Sequence, residues 1–172
     1  KPEPASFEIK AGDLGIYIAK IKSLDVEKAY NDFKTKGIGI IGGLSKDPQG
    51  TPCFYVKDPY GNLFQVTQWE KIFKSTDSVT GGAYGAFIGV TDMERSISFY
   101  REVLGYDQII YNESGCFDDF KPLPGGESNF QRVLLSHGSP RKGPFSRMLG
   151  DSRIELIKVL DREPKKIYQD RY

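Results

Sequence analysis

Few side chains in this sequence combine a reactive type with a setting in which they could do chemistry. There is one histidine, His137, and there are two cysteines, Cys53 and Cys116, none of them in a CxxC pair or a Cys/His ligand spacing. No Ser-His-Asp or Cys-His arrangement is legible around them, so His137 reads as an exposed loop imidazole and the cysteines as free thiols. Two strand-like runs each hold a polar residue whose side of the strand can be read from alternation: Gln65 in Leu63-Phe-Gln-Val-Thr67 and Glu155 in Arg153-Ile-Glu-Leu-Ile157. Strand alternation puts Leu63, Gln65 and Thr67 opposite Phe64 and Val66, and Arg153, Glu155 and Ile157 opposite Ile154 and Leu156. If the apolar sets lie under helices, Gln65 and Glu155 both point to the other side. A carboxylate buried there could acquire a raised pKa and act as a general base, which makes Glu155 the candidate catalytic residue. The alternative is a structural remnant satisfied by a neighbour such as Arg153.

The elements that must position these residues occur twice. Gly15-Ile-Tyr-Ile-Ala-Lys-Ile21 followed by Asp25-Val-Glu-Lys-Ala-Tyr-Asn-Asp-Phe33 and Gly37 runs parallel to Gly85-Ala-Phe-Ile-Gly-Val90, Asp92-Met-Glu-Arg-Ser-Ile-Ser-Phe-Tyr100 and Gly105. Each copy is a short apolar strand, an Asp at a helix N-cap, an apolar stripe at i, i+3, i+4, i+7 and a glycine stop. Three strand-like runs follow each helix: Ile38 to Ile41, Thr51 to Lys57 and Asn62 to Thr67, then Gln108 to Tyr111, Phe130 to Ser136 and Arg153 to Val159. Asp58-Pro-Tyr-Gly-Asn62 supplies a hairpin turn. The expected class is α+β: two βαβββ modules, residues 12–70 and 83–160, separated by a polar linker at 71–82 and followed by a polar tail at 161–172. Four strands with one helix bury one face well, so the modules are expected to pair into a cupped sheet, within the chain or across a dimer.

Composition narrows the partners. Among 172 residues, 24 Lys and Arg stand against 23 Asp and Glu, a net charge of +1, which gives no support to a general nucleic-acid or membrane-surface binder. A small-molecule ligand, with a homodimer or neighbouring modules of a longer chain, is the expectation. No apolar run approaches the roughly 20 residues of a membrane span. The Lys1-Pro-Glu-Pro4 start lacks a signal-peptide core, so a cytoplasmic location is the default.

Three segments carry a family resemblance. Val90-Thr-Asp-Met-Glu-Arg-Ser-Ile-Ser-Phe-Tyr100 with Leu104-Gly105 resembles the opening of a first-type module of the vicinal-oxygen-chelate superfamily, the group of glyoxalases, bleomycin-resistance proteins and extradiol dioxygenases. Phe54-Tyr-Val-Lys-Asp-Pro-Tyr-Gly-Asn-Leu-Phe-Gln65 resembles the close of a second-type module, and Arg153-Ile-Glu-Leu156 the last strand of a first-type one. The second-type module precedes the first-type one, the reverse of the usual order, which fits a chain that belongs to a longer array. The resemblance implies a cup holding one divalent metal (Zn, Ni, Mn or Fe) bound by His, Glu or Gln of the first and last strands.

Carried over position by position, the ligand set is incomplete. The first-strand positions fall at Ile16 or Ile18 and at Gly85, none of which binds a metal; the last-strand positions fall at Gln65 and Glu155. Two readings therefore stay open. One is a protein that binds a small molecule in the cup without metal, as the bleomycin-resistance branch does, with Tyr17, Tyr55, Phe87 and Trp69 as candidate pocket aromatics. The other is a metal-dependent lyase, isomerase or ring-cleavage dioxygenase in which Gln65 and Glu155 are completed by other modules or another chain. The insertion from Asn112 to Ser128 is a lid or only a loop.

Overall fold

The computed structural model describes residues 7–74, 76–140, 142–146 and 151–167. The first module consists of β1 (Gly15–Ser23), α1 (Val26–Thr35), β2 (Gly39–Lys46), β3 (Pro52–Lys57) and β4 (Leu63–Gln68). The second consists of β5 (Ala83–Gly89), α2 (Met93–Leu104), β6 (Gln108–Gly115), β7 (Phe130–Ser136) and β8 (Arg153–Val159). All eight strands join one mixed sheet in the order β2-β3-β4-β1-β5-β8-β7-β6. In each module the first strand runs parallel to the last, and the two first strands, β1 and β5, pair antiparallel at the centre. That central pairing closes the cup within one chain.

Local chemistry accounts for the helices. The carboxylates of Asp25 and Asp92 accept from Lys28 N at 2.9 Å and Arg95 N at 3.0 Å, satisfying donors that the first helical turn leaves free. Gly105 ends α2 in the left-handed conformation, φ 73°, with its N–H bonded back to Arg101 O. Helix α1 stops at Lys36, one residue before Gly37. Each helix covers the convex face of its own module. Val26 and Ala29 pack on Phe54, Val56 and Val66; Met93 and Ile97 pack on Val133, Leu135 and Leu156. Among the described residues no helix is long and apolar enough to cross a membrane.

The concave side holds a third core, shared by both modules. Ile18 and Tyr55 of the first meet Phe87, Phe130, Ile157 and Val159 of the second, together with Phe120 and Leu123 from the insertion. Three segments depart from the sequence expectation, and one of them is β6, which runs on past Tyr111 to Gly115 by pairing with β7 as far as Phe130. Strand β2 runs on to Lys46, because Ser45 and Lys46 pair with Cys53 and Pro52 beyond an irregularity at the Gly42-Gly43 step. The polar tail expected at 161–172 opens with a basic run, and it is tied down as far as Ile167. Arg162 meets the buried Asp13 carboxylate at 2.7 Å, Lys165 N donates to the same oxygen, and Ile167 is buried. A buried carboxylate demands such partners, and the basic run supplies them.

Phe54 is fully buried, with the rings of Tyr30 and Phe33 edge-on at 5.4 and 5.7 Å. Phe54→Ala is expected to lower the unfolding free energy by about 3–5 kcal/mol. In urea titration this appears as a lower midpoint with an unchanged slope.

Candidate functional site

Phe64 and Val66 lie with the α1 core, and Leu156 with Ile154 lies with the α2 core, so Gln65 and Glu155 face the cup. Both are completely buried. They do not form an open pair, because two cations engage Glu155. Lys20 of β1 places Nζ 2.6 Å from Glu155 Oε2. Arg132 of β7 donates from Nε to Glu155 Oε1 at 2.8 Å, and its NH2 lies 2.7 Å from the same oxygen. Arg132 NH1 donates to Asp119 Oδ1 at 2.7 Å; Asp119 Oδ2 accepts from Tyr55 OH at 3.2 Å; and Gln65 Nε2 donates to that hydroxyl at 3.1 Å. The result is two cations and two carboxylates, none more than 2 % exposed, at the seam between the modules.

Aromatic rings insulate the network. Lys20 Nζ lies 4.6 Å from the centroid of the Phe87 ring, and the Arg132 guanidinium lies 3.8 Å from Phe120 and 4.7 Å from Phe117. In this setting burial pushes the Glu155 carboxyl up, but Arg132 and Lys20 outweigh it and hold it down at about 2. A carboxylate so stabilised has little affinity for a proton near neutrality and makes a weak general base. Asp119 shares only one of the two cations, and its burial leaves its carboxyl above the usual value.

The residues present do not fit the divalent metal that the resemblance implies. Both oxygens of Glu155 are taken by cations, and a metal approaching them would meet two positive charges at contact distance. Gln65 offers only its orphaned Oε1, since its amide nitrogen is engaged with Tyr55. Gly85 cannot be a ligand, and no larger side chain could stand there: a Cβ on it would lie 1.7 Å from Arg153 O. Ile16 is half exposed and Ile18 lies in the concave core. Among the described residues no cluster of three or more His, Cys, Asp or Glu side chains could hold a metal ion.

Tyr55 and Phe87 line the concave core, 6.4 Å apart between ring centroids; Tyr17 packs against its edge with a buried hydroxyl that lacks a hydrogen-bond partner. Trp69 lies instead at the rim, where its ring meets Tyr84 and carries the Arg153 guanidinium at 4.6 Å. His137 lies outside the site. Its Nδ1 is 2.6 Å from Gly105 O, which can only accept, and its ring stacks on Tyr106. Burial raises the Cys53 thiol to about 12, which makes it a poor nucleophile; Cys116 is exposed and unbridged.

The insertion fills the volume that a ligand would need. Residues 117–126 form consecutive turns that lower Asp119, Phe120 and Leu123 into the concave core. A separate cleft of about 450 Å³ is lined by Lys121, Leu123, Gly125, Glu127, Ser128 and Asp161, none of which belongs to the polar network. Lys20, Arg132 and Asp119 are the site residues that sequence reasoning does not find. The first two carry a signal, a charge within an apolar strand on the same parity as Ile18 or as Phe130 and Leu134. Asp119 carries none.

Glu155→Gln is expected to cost about 3–5 kcal/mol, because Lys20 then loses its carboxylate partner and Arg132 keeps only Asp119. The folded carboxyl titrates at about 2 against an ordinary 4.5, so its stabilisation is complete above pH 4.5 and is lost as pH falls towards 2. Asp119, raised by burial, acts in the opposite sense: the cost of its charge disappears on acidification. The difference between wild type and Glu155→Gln carries the first effect, opposed in part by the release of Asp119 from the Glu155 charge that helps to raise it. Measured by urea unfolding from about pH 6 to about pH 3, it is expected to shrink; a constant difference would mean that the two cations do not hold Glu155 down.

No protein-family model matches the chain, and neither does any curated protein sequence. Solved structures do. Glyoxalase I from Zea mays superposes with a TM-score of 0.55 at 20% identity, over 91% of this chain and 47% of that one. A proposed dioxygenase from Bacillus subtilis gives a TM-score of 0.55 at 12% identity, over 92% and 45%. Methylmalonyl-CoA epimerase from Streptomyces coelicolor, solved with 2-nitronate-propionyl-CoA, gives 0.44 at 13%, over 85% and 97%. The chain thus spans about half the length of the first two. With its paired βαβββ modules, parallel first and last strands and central β1–β5 seam, the chain has the fold of the vicinal-oxygen-chelate superfamily.

Proposed function

We propose that this chain is a metal-independent binding module of the vicinal-oxygen-chelate fold. In this reading Lys20 and Arg132 supply, from the chain itself, the positive charge that a divalent ion would bring to the cup. The observation that carries the reading is the saturation of Glu155: both its oxygens accept from cations, and its own charge is needed to offset theirs. Glu155 is then a positioning residue that fixes two donors, and Gln65 and Tyr55 extend the polar floor. Phe87 and Tyr55 form the apolar wall, with Tyr17 at its edge.

The metal-enzyme alternative requires Glu155 to leave both partners and an outside module to bring at least one more ligand. Breaking a buried ion pair to do so costs several kcal/mol before any metal is bound. The two modules already complete one cup within the chain, so the reading does not depend on exchange between two copies. Exposed apolar residues of α2 and β6, Phe99, Val103, Leu104 and Ile109, are compatible with a further module or a second copy packing there.

Protein purified without chelators is expected to contain well under one equivalent of Zn, Ni, Mn or Fe, and neither chelator nor added metal is expected to shift its melting temperature. One equivalent of tightly held metal that is lost on Glu155→Ala would overturn the reading. Conversely, Lys20→Met removes one cation and exposes a Glu155 oxygen; metal affinity, if it appears anywhere, should appear in that variant first.

A further inference from the structure

Five members of the cup network sit on strands: Lys20 on β1, Tyr55 on β3, Gln65 on β4, Arg132 on β7 and Glu155 on β8. Asp119 alone comes from a loop. It nevertheless takes the central acceptor position, with one oxygen on Arg132 NH1 of the second module and the other on Tyr55 OH of the first. Two donors on facing modules thus grip a single carboxylate by both oxygens, an arrangement that can take any carboxylate of the same size. Next to it the Phe120 ring lies over the Arg132 guanidinium at 3.8 Å and against Phe87 and Phe130 at 5.6 and 5.3 Å.

We propose that Asp119 and Phe120 stand in the place of a ligand, and that the ligand admitted instead is a small organic monocarboxylate with an aromatic ring close to its carboxylate. This rests on the reading of the cup as a metal-independent binding site. Charge selects the class. Two cations and two carboxylates leave the cup neutral, so whatever replaces Asp119 must carry one negative charge; a neutral replacement would leave Arg132 half compensated in a buried site. The slot vacated by Phe120 is walled by Phe87, Phe130 and the guanidinium plane, which suits a flat ring. The fully buried Gln65 leaves its Oε1 without a donor, and a hydroxyl or protonated group beside the incoming carboxylate would satisfy it.

The insertion is attached in a way that permits the exchange. Its backbone bonds are local turns, Phe120 N to Phe117 O, Leu123 N to Phe120 O and Gly126 N to Leu123 O. Among the described residues one backbone bond, Ala11 N to Pro124 O, ties residues 117–126 to the rest of the molecule. No strand pairing has to break for the segment to lift. What holds it down is side-chain packing, Leu123 and Phe117 on the concave core beside the Asp119 and Phe120 contacts just described, and a ligand bringing a carboxylate and a ring competes with the last two directly.

The test titrates the 172-residue chain with phenylacetate, and with its neutral amide as control, by calorimetry. Asp119→Asn, which keeps the shape and loses the charge, is compared with the Asp119→Ala/Phe120→Ala double variant. The double variant is expected to bind phenylacetate at least ten-fold more tightly than wild type, Asp119→Asn to show a smaller gain in the same direction, and the amide to gain in neither. Amide hydrogen exchange of wild type gives a readout that needs no variant: saturating phenylacetate should speed exchange at Phe120, Leu123 and Gly126. Equal gains for acid and amide would overturn the carboxylate assignment while leaving a small-molecule cup. Folded variants that bind neither, with wild-type exchange unchanged, would overturn the proposal and the binding reading together. A metal found in the cup would overturn the parent reading and, with it, this proposal.

Discussion

The ion network centred on Glu155 is the constraint around which the rest of this molecule is arranged. Removing two cations and two carboxylates from water is unfavourable, and the arrangement holds only because every charge has an opposite partner within 2.8 Å. The partners come from different places: Lys20 from the first module, Arg132 and Glu155 from the second, Asp119 from the insertion. Arg132 and Glu155 pair with each other inside the second module, but Lys20 finds its carboxylate only across the seam and Asp119 finds its cation only on β7. The network therefore ties module to module and insertion to both, and it does so at the β1–β5 seam, where the backbone also pairs.

The same constraint explains why the residues of the cup do not fit the metal that the resemblance implies. A cup of facing strands concentrates inward-pointing polar groups, which is what a metal site needs. With Glu and Gln as its remaining ligand types, the cup would carry an uncompensated negative charge. Lysine and arginine supply the compensation permanently, and phenylalanine rings exclude the water that would otherwise weaken it. Gly85 contributes by its lack of a side chain, since the approach of Arg153 O leaves no space for one.

Much of the fold is legible in the sequence because its signals are local. Asp25 and Asp92 cap helices with their own side chains, Gly105 ends one by its conformation, and the apolar stripes of α1 and α2 follow from a 3.6-residue period. The inward direction of Gln65 and Glu155 follows from alternation within one strand. Lys20 is harder to find because β1 carries a register shift between Ile16 and Ile18, so parity counted from the strand's start does not identify which residue reaches the cup centre. Arg132 has the right parity, but its partner is 23 residues away. Asp119 lies in a loop with no period at all, and only the closed fold brings it to Tyr55, 64 residues distant in sequence. The basic run after Leu160 is misjudged for a similar reason: its partner, Asp13, is at the other end of the chain.

Direct observation of the Glu155 carboxyl in solution tests this account at its centre. Carbon-13 NMR of glutamate-labelled protein, kept metal-free by chelator, follows that one group through an acid titration. The account predicts that Glu155 stays ionised as pH falls below the ordinary glutamate value of 4.5 and titrates only near 2, with no metal present to hold it there. Titration at or above 4.5 in the folded protein would mean that Lys20 and Arg132 do not pair with it, and the ion-filled cup would be contradicted.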